Sequence, residues 1–234
     1  MCKRISQVTK FGNAVNLRKS MESVDTIIFD VDGTLIDSRQ DIANAVNFAL
    51  KKAGLQEKSI TQISSYIGMG VEDLISRAVG QQAGALFKKA LTAFEAYYRK
   101  HSADNSVLYP GVKEVLEYYK EKRKVVITNR NYEFAVSGLK AAGIYAYFED
   151  IIGGDDAACM KPSSCPLDKF MHGLDIDKAR AIIVGDMDID VLAGKRAGIL
   201  TCAVTYGIGR REDILKAKPD YVIGNLRQLK EIIN

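Results

Sequence analysis

The sequence predicts an α/β fold: a Rossmann-like parallel sheet sandwiched by helices, with an all-helical cap domain inserted after the first strand. Three observations carry this. Short apolar, β-branched runs such as "KVVITN", "RAIIVGD" and "LTCAVTYG" alternate with helical patterns in the second half of the chain. That alternation is the signature of a parallel sheet with right-handed crossovers. Residues 37–108, directly after the first apolar run, hold helical periodicity and no convincing strand. The length of 234 residues suits one large domain, or a domain plus an insertion.

Each element has its own local reason. "TIIFDVDGTLIDS", from Thr26 to Ser38, opens the sheet with Ile27, Ile28 and Phe29 as strand interior. In "SRQDIANAVNFALKKAG" the residues Ile42, Ala45, Val46, Ala49 and Leu50 recur at helical spacing, with Ser38 as N-cap and Gly54 just past the last turn. A shorter helix follows Gly70 through Ser76 and Arg77, and a longer one covers 83–100 with Leu86, Ala90, Phe94 and Tyr97 on one face. "YPG" at Tyr109 to Gly111 ends the helical block. Helices near 112–122, 131–142 and 165–173, one before "LTCAVTYG" and one at the C-terminus separate the remaining strands, which include "DIIGG" and "DYVIG". The expected organisation is a flexible basic arm at 1–20, an α/β core at 21–36 and 109–234, and a helical cap at 37–108.

The charge balance argues against a nucleic-acid partner. The net charge is +4, but residues 1–20 hold Lys3, Arg4, Lys10, Arg18 and Lys19 and no acid, which leaves the body near −1. The basicity thus belongs to the arm, which reads as a solvated extension. The longest apolar runs are far too short to span a bilayer. Basic residues open the chain with no apolar segment after them, so a cytoplasmic location is expected, and Met21 is a possible second start. Cys2, Cys159, Cys165 and Cys202 show no CxxC pair and are expected to be reduced thiols. His101 and His172 have no Cys or Glu at zinc-ligand spacing and read as surface or helix-end residues.

Asp30 and Asp32 end the first strand on the same side, by the period of two. Two carboxylates ~5 Å apart repel by roughly 3 kcal/mol at an effective dielectric near 20. A divalent cation, a shared proton or a nearby lysine is needed to offset this. In open parallel sheets the active site forms beyond the carboxyl ends of the strands. There the sequence places Thr128 and Asn129 after "KVVI", Asp186 after "RAIIVG" with Asp188 and Asp190 beyond it, and Lys161, followed by Pro162, after "DIIGG". Taken singly, each is an ordinary turn, cap or surface residue; their common placement at strand ends is what carries the reading. These parts suit phosphoryl transfer through an aspartyl-phosphate. Asp30 and Asp186, with a backbone carbonyl and waters, offer the hard oxygen ligands that Mg²⁺ takes. Asp30 is the candidate nucleophile and Asp32 the candidate general acid and base. Thr128 and Lys161 are candidates to grip the transferring oxygens, and Gly33 lets backbone N–H groups approach the phosphate.

With "DVDGT" at 30–34, "TN" at 128–129, "KP" at 161–162 and "GDMDID" at 185–190, the chain resembles the haloacid dehalogenase superfamily of phosphohydrolases from about residue 24 onward. The resemblance implies Asp30 as nucleophile and Asp32 as general acid/base. It implies Mg²⁺ held by Asp30, the carbonyl of Asp32 and Asp186, phosphate contacts from the Thr128–Asn129 pair and Lys161, and Asp190 behind them holding the lysine or a metal-bound water. The segments "YIGMGVEDLISRAVG", "YYRKHSADNSVLYPGVKEVL" and "AVTYGIGRREDI" look most like phosphoglycolate phosphatases, so the small phosphorylated metabolite expected as substrate is 2-phosphoglycolate. Three features depart from the pattern: Arg130 replaces the usual lysine after "TN", "KPSSCP" is unusual, and the basic arm has no counterpart.

Two other functions share these residues. A phosphomutase of the β-phosphoglucomutase type would pass the phosphoryl group to a sugar instead of water. A non-enzymatic phospho-acceptor module also combines aspartates, a hydroxyl and a lysine, but it needs neither Asp32 nor a seventy-residue cap. A dehalogenase has no need of Asp32 as a second acid. "GMG" at 68–70 reads as a helix-joining loop, with a substrate-facing role as the alternative, and Arg77 as a solvated helix residue. "GIGRR" at 207–211 has too few glycines for a nucleotide fingerprint.

Overall fold

The computed structural model describes residues 8–10, 24–80 and 84–233. In chain order its strands are β1 (Thr9–Lys10), β2 (Thr26–Phe29), β3 (Ile36–Asp37), β4 (Val107–Leu108), β5 (Arg123–Ile127), β6 (Asp150–Ile152), β7 (Ala181–Gly185), β8 (Leu200–Val204) and β9 (Tyr221–Ile223). Its α-helices are α1 (Arg39–Lys52), α2 (Ile60–Ser64), α3 (Gly70–Val79), α4 (Ala85–His101), α5 (Val112–Tyr118), α6 (Tyr132–Ala141), α7 (Cys165–Gly173), α8 (Asp188–Ala197) and α9 (Arg211–Lys216). The main sheet runs β1-β9-β8-β7-β2-β5-β6, with β2 parallel to both β5 and β7. All its pairings are parallel except β1 on β9.

The period of two sorts the strand side chains between two layers. Ile27 and Phe29 pack with Val115 of α5 and Leu139 of α6. Ile28 points the other way and packs with Leu167 of α7 and Ala193 of α8. Both faces are therefore covered, as near-continuous apolar strands require. Burying each Ile or Phe stabilises the fold by about 1.5–3 kcal/mol.

Helices α1 to α4 build a separate apolar cluster. Ala45 and Ala49 on α1 are small enough to let α4 approach, and both are fully buried there. Phe134 of α6 joins this cluster and so ties the helical block to the sheet layer. On α4 the buried face is Ala90, Phe94 and Tyr98, not the expected Tyr97. The drift follows from 3.6 residues per turn: Tyr98 stacks on Phe94 at 5.0 Å, while Tyr97 stacks on Phe48. The chain enters and leaves the block through the antiparallel pair β3–β4. Buried Asp41 ties the two crossings together by accepting from Asn105 N (3.0 Å), Asn105 Nδ2 (2.8 Å) and Ser106 Oγ (2.6 Å).

Several expectations are corrected. Within the arm expected to be flexible, Thr9 and Lys10 pair with Val222 and Tyr221, covering the edge of β9 that would otherwise expose unpaired backbone groups; the other residues of 1–20, save Val8, lie outside the described set. The helix expected over 112–122 ends at Tyr118, and the Lys124 ammonium satisfies the carbonyls of Tyr119 (2.6 Å) and Lys122 (2.9 Å) that follow it. The C-terminal helix is a 3₁₀ segment, Leu226–Glu231. Helices α2 and α9 were not anticipated. The expectation of reduced thiols fails for one pair: Cys159 and Cys165 form a disulfide, with Cα atoms 5.2 Å apart. Cys202 is free and buried, and Cys2 lies outside the described residues. The two histidines are as expected, His101 ending α4 and His172 exposed on α7. Among the described residues no helix is long and apolar enough to cross a membrane.

Candidate active site

The loop after β2 folds back tightly on itself. Leu35 N and Ile36 N both donate to Val31 O at 3.0 Å, and Gly33 N donates to Ile36 O at 2.9 Å. Gly33 has φ +87°, and a Cβ there would stand 2.1 Å from Asp186 Oδ2. Glycine is required because the loop and a carboxylate occupy the same space. Its amide is already engaged by Ile36, so its part is close packing in addition to any role near a phosphate.

Because β2 lies between β5 and β7, the residues that follow these three strands meet at one edge. Asp30, Asp186 and Asp190 are buried, and each offers a carboxylate oxygen within 4.8 Å of the others'. Lys161 is 1% exposed and uses its ammonium fully, on Asp30 Oδ1 (2.8 Å), Asp190 Oδ1 (2.7 Å) and Ile127 O (2.8 Å). Burial works against its charge, but Asp190 and Asp30 outweigh that and raise its pKa above the ordinary lysine value. Asp186 is pushed up to about 8, first by burial and then by the charges of Asp30 and Asp190. It accepts from Thr34 Oγ1 (3.1 Å), Ile208 N (2.7 Å) and Gly209 N (3.0 Å). Burial also raises Asp190, against the pull of Lys161, and its Oδ2 accepts from Met187 N at 3.0 Å. Asp190 thus stands in the carboxylate cluster itself while also holding the lysine.

Asp32 is set apart from this cluster. Its Oδ1 accepts from Ser38 Oγ and from the Arg130 guanidinium at 2.9 Å. Ser38 does precede α1 as the sequence suggests, but its hydroxyl serves Asp32 instead of capping the helix. Arg130, 4% exposed at its side chain, also donates to the Tyr98 hydroxyl on α4 at 2.5 Å. Each carboxylate of the pair therefore has its own cation, Lys161 for Asp30 and Arg130 for Asp32. This is how the repulsion between them is offset in the protein alone.

Thr128 is buried at the same edge and accepts from Arg130 N at 3.2 Å. Asn129 works as a clamp: its Oδ1 accepts from Lys161 N (2.9 Å), and its Nδ2 donates to Lys161 O (2.7 Å) and Gly68 O (2.8 Å). The "GMG" segment is a loop, as expected, and it lies over the sheet edge. Gly68 and Gly70 line a cavity between the helical block and the strand ends, together with Asp30, Asp32, Thr128 and Arg130. Arg77 is half exposed and paired with Asp73, one turn away.

Sequence reasoning missed Ser38 and Tyr98 as site residues and saw Arg130 only as a departure from a pattern. It also missed the loop Gly207–Gly209. A Cβ at Gly207 would lie 2.4 Å from the Asp186 side chain, and one at Gly209 would lie 2.0 Å from its backbone oxygen. The available signal was the glycine spacing of "GIG" at a strand end, which marks close backbone approach even where no nucleotide motif exists.

A family model described as haloacid dehalogenase-like hydrolase matches residues 27–204. A phosphoglycolate phosphatase of Vibrio parahaemolyticus is 33% identical over 223 residues, covering 92% of this chain and 98% of the relative. One of Neisseria meningitidis is 33% identical over 225 residues, covering 92% and 96%. The crystal structure of a predicted phosphoglycolate phosphatase from Haemophilus somnus superposes with a TM-score of 0.86 at 30% identity, covering 91% of this chain and 99% of that one. A haloacid dehalogenase-like family protein from Streptococcus pneumoniae shares the fold, with a TM-score of 0.80 at 24% identity over 89% of this chain and 97% of its own.

Proposed function

Since the chain belongs to the haloacid dehalogenase-like hydrolase family, we propose that it is a Mg²⁺-dependent phosphatase of small phosphomonoesters, acting through an aspartyl-phosphate, with 2-phosphoglycolate as substrate. The observation that carries this reading is the division of labour between Asp30 and Asp32: one sits in a cluster of carboxylates and a lysine, the other is held by a hydroxyl and a guanidinium. Lys161 holds the nucleophile in place within the oxygen cluster, while Asp32, outside that cluster, is placed to exchange a proton with the leaving oxygen and with water. The relatives' names support the substrate, and the near-neutral body supports a metabolite over a nucleic acid. In this reading 21–36 and 109–234 form the catalytic core, 37–108 form the cap, and the protein works in the cytoplasm.

The metal fits the residues present. The cluster of Asp30, Asp186 and Asp190 is all oxygen, without histidine or cysteine, as Mg²⁺ prefers. Asp30, Asp186 and the Asp32 carbonyl would hold the ion, with Asp190 beside them. Bound Mg²⁺ supplies positive charge against the nucleophile and the phosphate.

Asp30 attacks phosphorus, and the bond to the leaving oxygen breaks. Asp32 gives that oxygen a proton from Oδ2, because Ser38 and Arg130 both engage Oδ1, so the alcohol leaves neutral. Thr128 steadies the transferring oxygens, and Lys161, its three donors held by Asp30, Asp190 and Ile127 O, adds positive charge beside the nucleophile. Asp32, now a carboxylate, takes a proton from water, which attacks the acyl-phosphate, frees phosphate and restores Asp30. The helical block over the cavity keeps other water out until that step.

Phosphate release from 2-phosphoglycolate, sugar phosphates, nucleotides and pyrophosphate, with Mg²⁺ and with EDTA, tests this reading. Metal-dependent turnover led by 2-phosphoglycolate, abolished in Asp30→Asn, is the expected result. A protein that takes up phosphate without turnover, or passes it to a sugar, would replace the phosphatase with the phospho-acceptor or the mutase.

A further inference from the structure

We propose that Arg130 determines substrate specificity by binding the second anion of the substrate, a carboxylate on the carbon next to the ester oxygen. The inference rests on the phosphatase reading and adds to it which group the cavity selects, and with which residue.

Four observations support the assignment. Arg130 is the one cation among the described residues lining the cavity; Asp30 and Asp32 are its anions, and apolar side chains make up most of the remaining wall. A carboxylate entering such a cavity loses its hydration and requires a cation in return. The guanidinium spends only one N–H on Asp32 and one on Tyr98. Arginine has five, and its buried Nε has no partner in the protein. Finally, Asp32 and Arg130 are already in contact at 2.9 Å.

That contact determines where on the substrate a second anion would be read. If Asp32 protonates the ester oxygen, the atoms one and two bonds further into the leaving group lie next to the guanidinium. In an ester of a 2-hydroxy carboxylate, the carboxylate carbon is two bonds from that oxygen. Arginine's planar fork suits a carboxylate, and more than one donor remains to meet it. Arg130 Cζ stands 5.1 Å from the centre of the Tyr98 ring, which backs the cation from the helical block. A carboxylate bound there would bridge the sheet edge and the block through one side chain.

The competing role is purely positional, with Arg130 only holding Asp32. The two roles separate in a ratio. Positioning affects every ester alike, whereas carboxylate binding affects only substrates that carry one. The experiment measures kcat/KM for 2-phosphoglycolate and for ethyl phosphate, which has a methyl group in place of the carboxylate, in wild type, Arg130→Gln and Arg130→Lys. Wild type should prefer 2-phosphoglycolate by about 100-fold or more, the scale of a buried, hydrogen-bonded charge pair. Arg130→Gln should bring the ratio close to one. Arg130→Lys, which keeps the charge and guards against a folding defect, should lower the ratio by about tenfold through loss of the fork, mainly in KM. A ratio unchanged in both variants, or a wild type indifferent to the carboxylate, overturns the proposal while phosphate release leaves the phosphatase reading intact. A wild type that hydrolyses neither ester removes the phosphatase reading and this inference with it.

Discussion

Asp30 and Asp32 stand two residues apart in the chain and in different electrostatic surroundings, and the same contrast extends to Asp186. Burial and its carboxylate neighbours push Asp186 up to about 8, far above the ordinary value near 4. In the metal-free protein the folded state therefore keeps a proton that the unfolded chain has released, throughout the interval from about pH 4 to pH 8. With more protons on the folded state, stability falls as pH rises through that window and levels off above it. A divalent cation needs the carboxylate ionised, so its benefit should grow in the same direction. Melting curves with Mg²⁺ and with EDTA at pH 6 and pH 8 should show the larger metal-induced rise in Tm at pH 8. An equal rise at both would place the bound ion away from Asp186.

At the scale of elements, the segment between β6 and α7 carries Lys161 inside a loop closed by Cys159 and Cys165. The chain-entropy cost of leaving so short a loop open is about 2 kcal/mol. Reductant should thus add two titratable thiols to the denatured protein and lower the melting temperature; an unchanged thiol count would show the pair reduced. The loop also shows why legibility stops where it does. "KP" marks the lysine from sequence, but a six-residue cysteine spacing carries no framework signal, and only the turn between the two residues brings the sulfurs together. Helix α1 gives a parallel case. Its apolar spacing and its start after Ser38 were readable because they are local. The Ser38 hydroxyl goes to Asp32, which a capping rule cannot anticipate, since cap and carboxylate compete for the same group. Tyr97 against Tyr98 differs for a similar reason, as a face is legible to within one residue until its partner helix is known.

Across the whole molecule, the sheet separates its β1 edge from its chemistry. In the order β1-β9-β8-β7-β2, the strand bearing Asp30 is three places from β9, where Thr9 and Lys10 pair. A chain beginning at Met21 should lose that edge strand, with a small drop in stability from its ladder bonds and more self-association through the bared edge of β9. Its kcat/KM should match the full chain. A fall in turnover instead would tie the N-terminal residues to catalysis. The sequence alone determined the parallel sheet, the helical insertion and the strand ends that carry Asp30, Thr128 and Asp186, because periodicity and turn chemistry act over a few residues. Only the tertiary structure decided which cation serves which carboxylate. Lys161 reaches Asp30 across 131 positions and Arg130 reaches Asp32 across 98. Pairings over such separations follow from how strands and helices stack, and no local pattern records them.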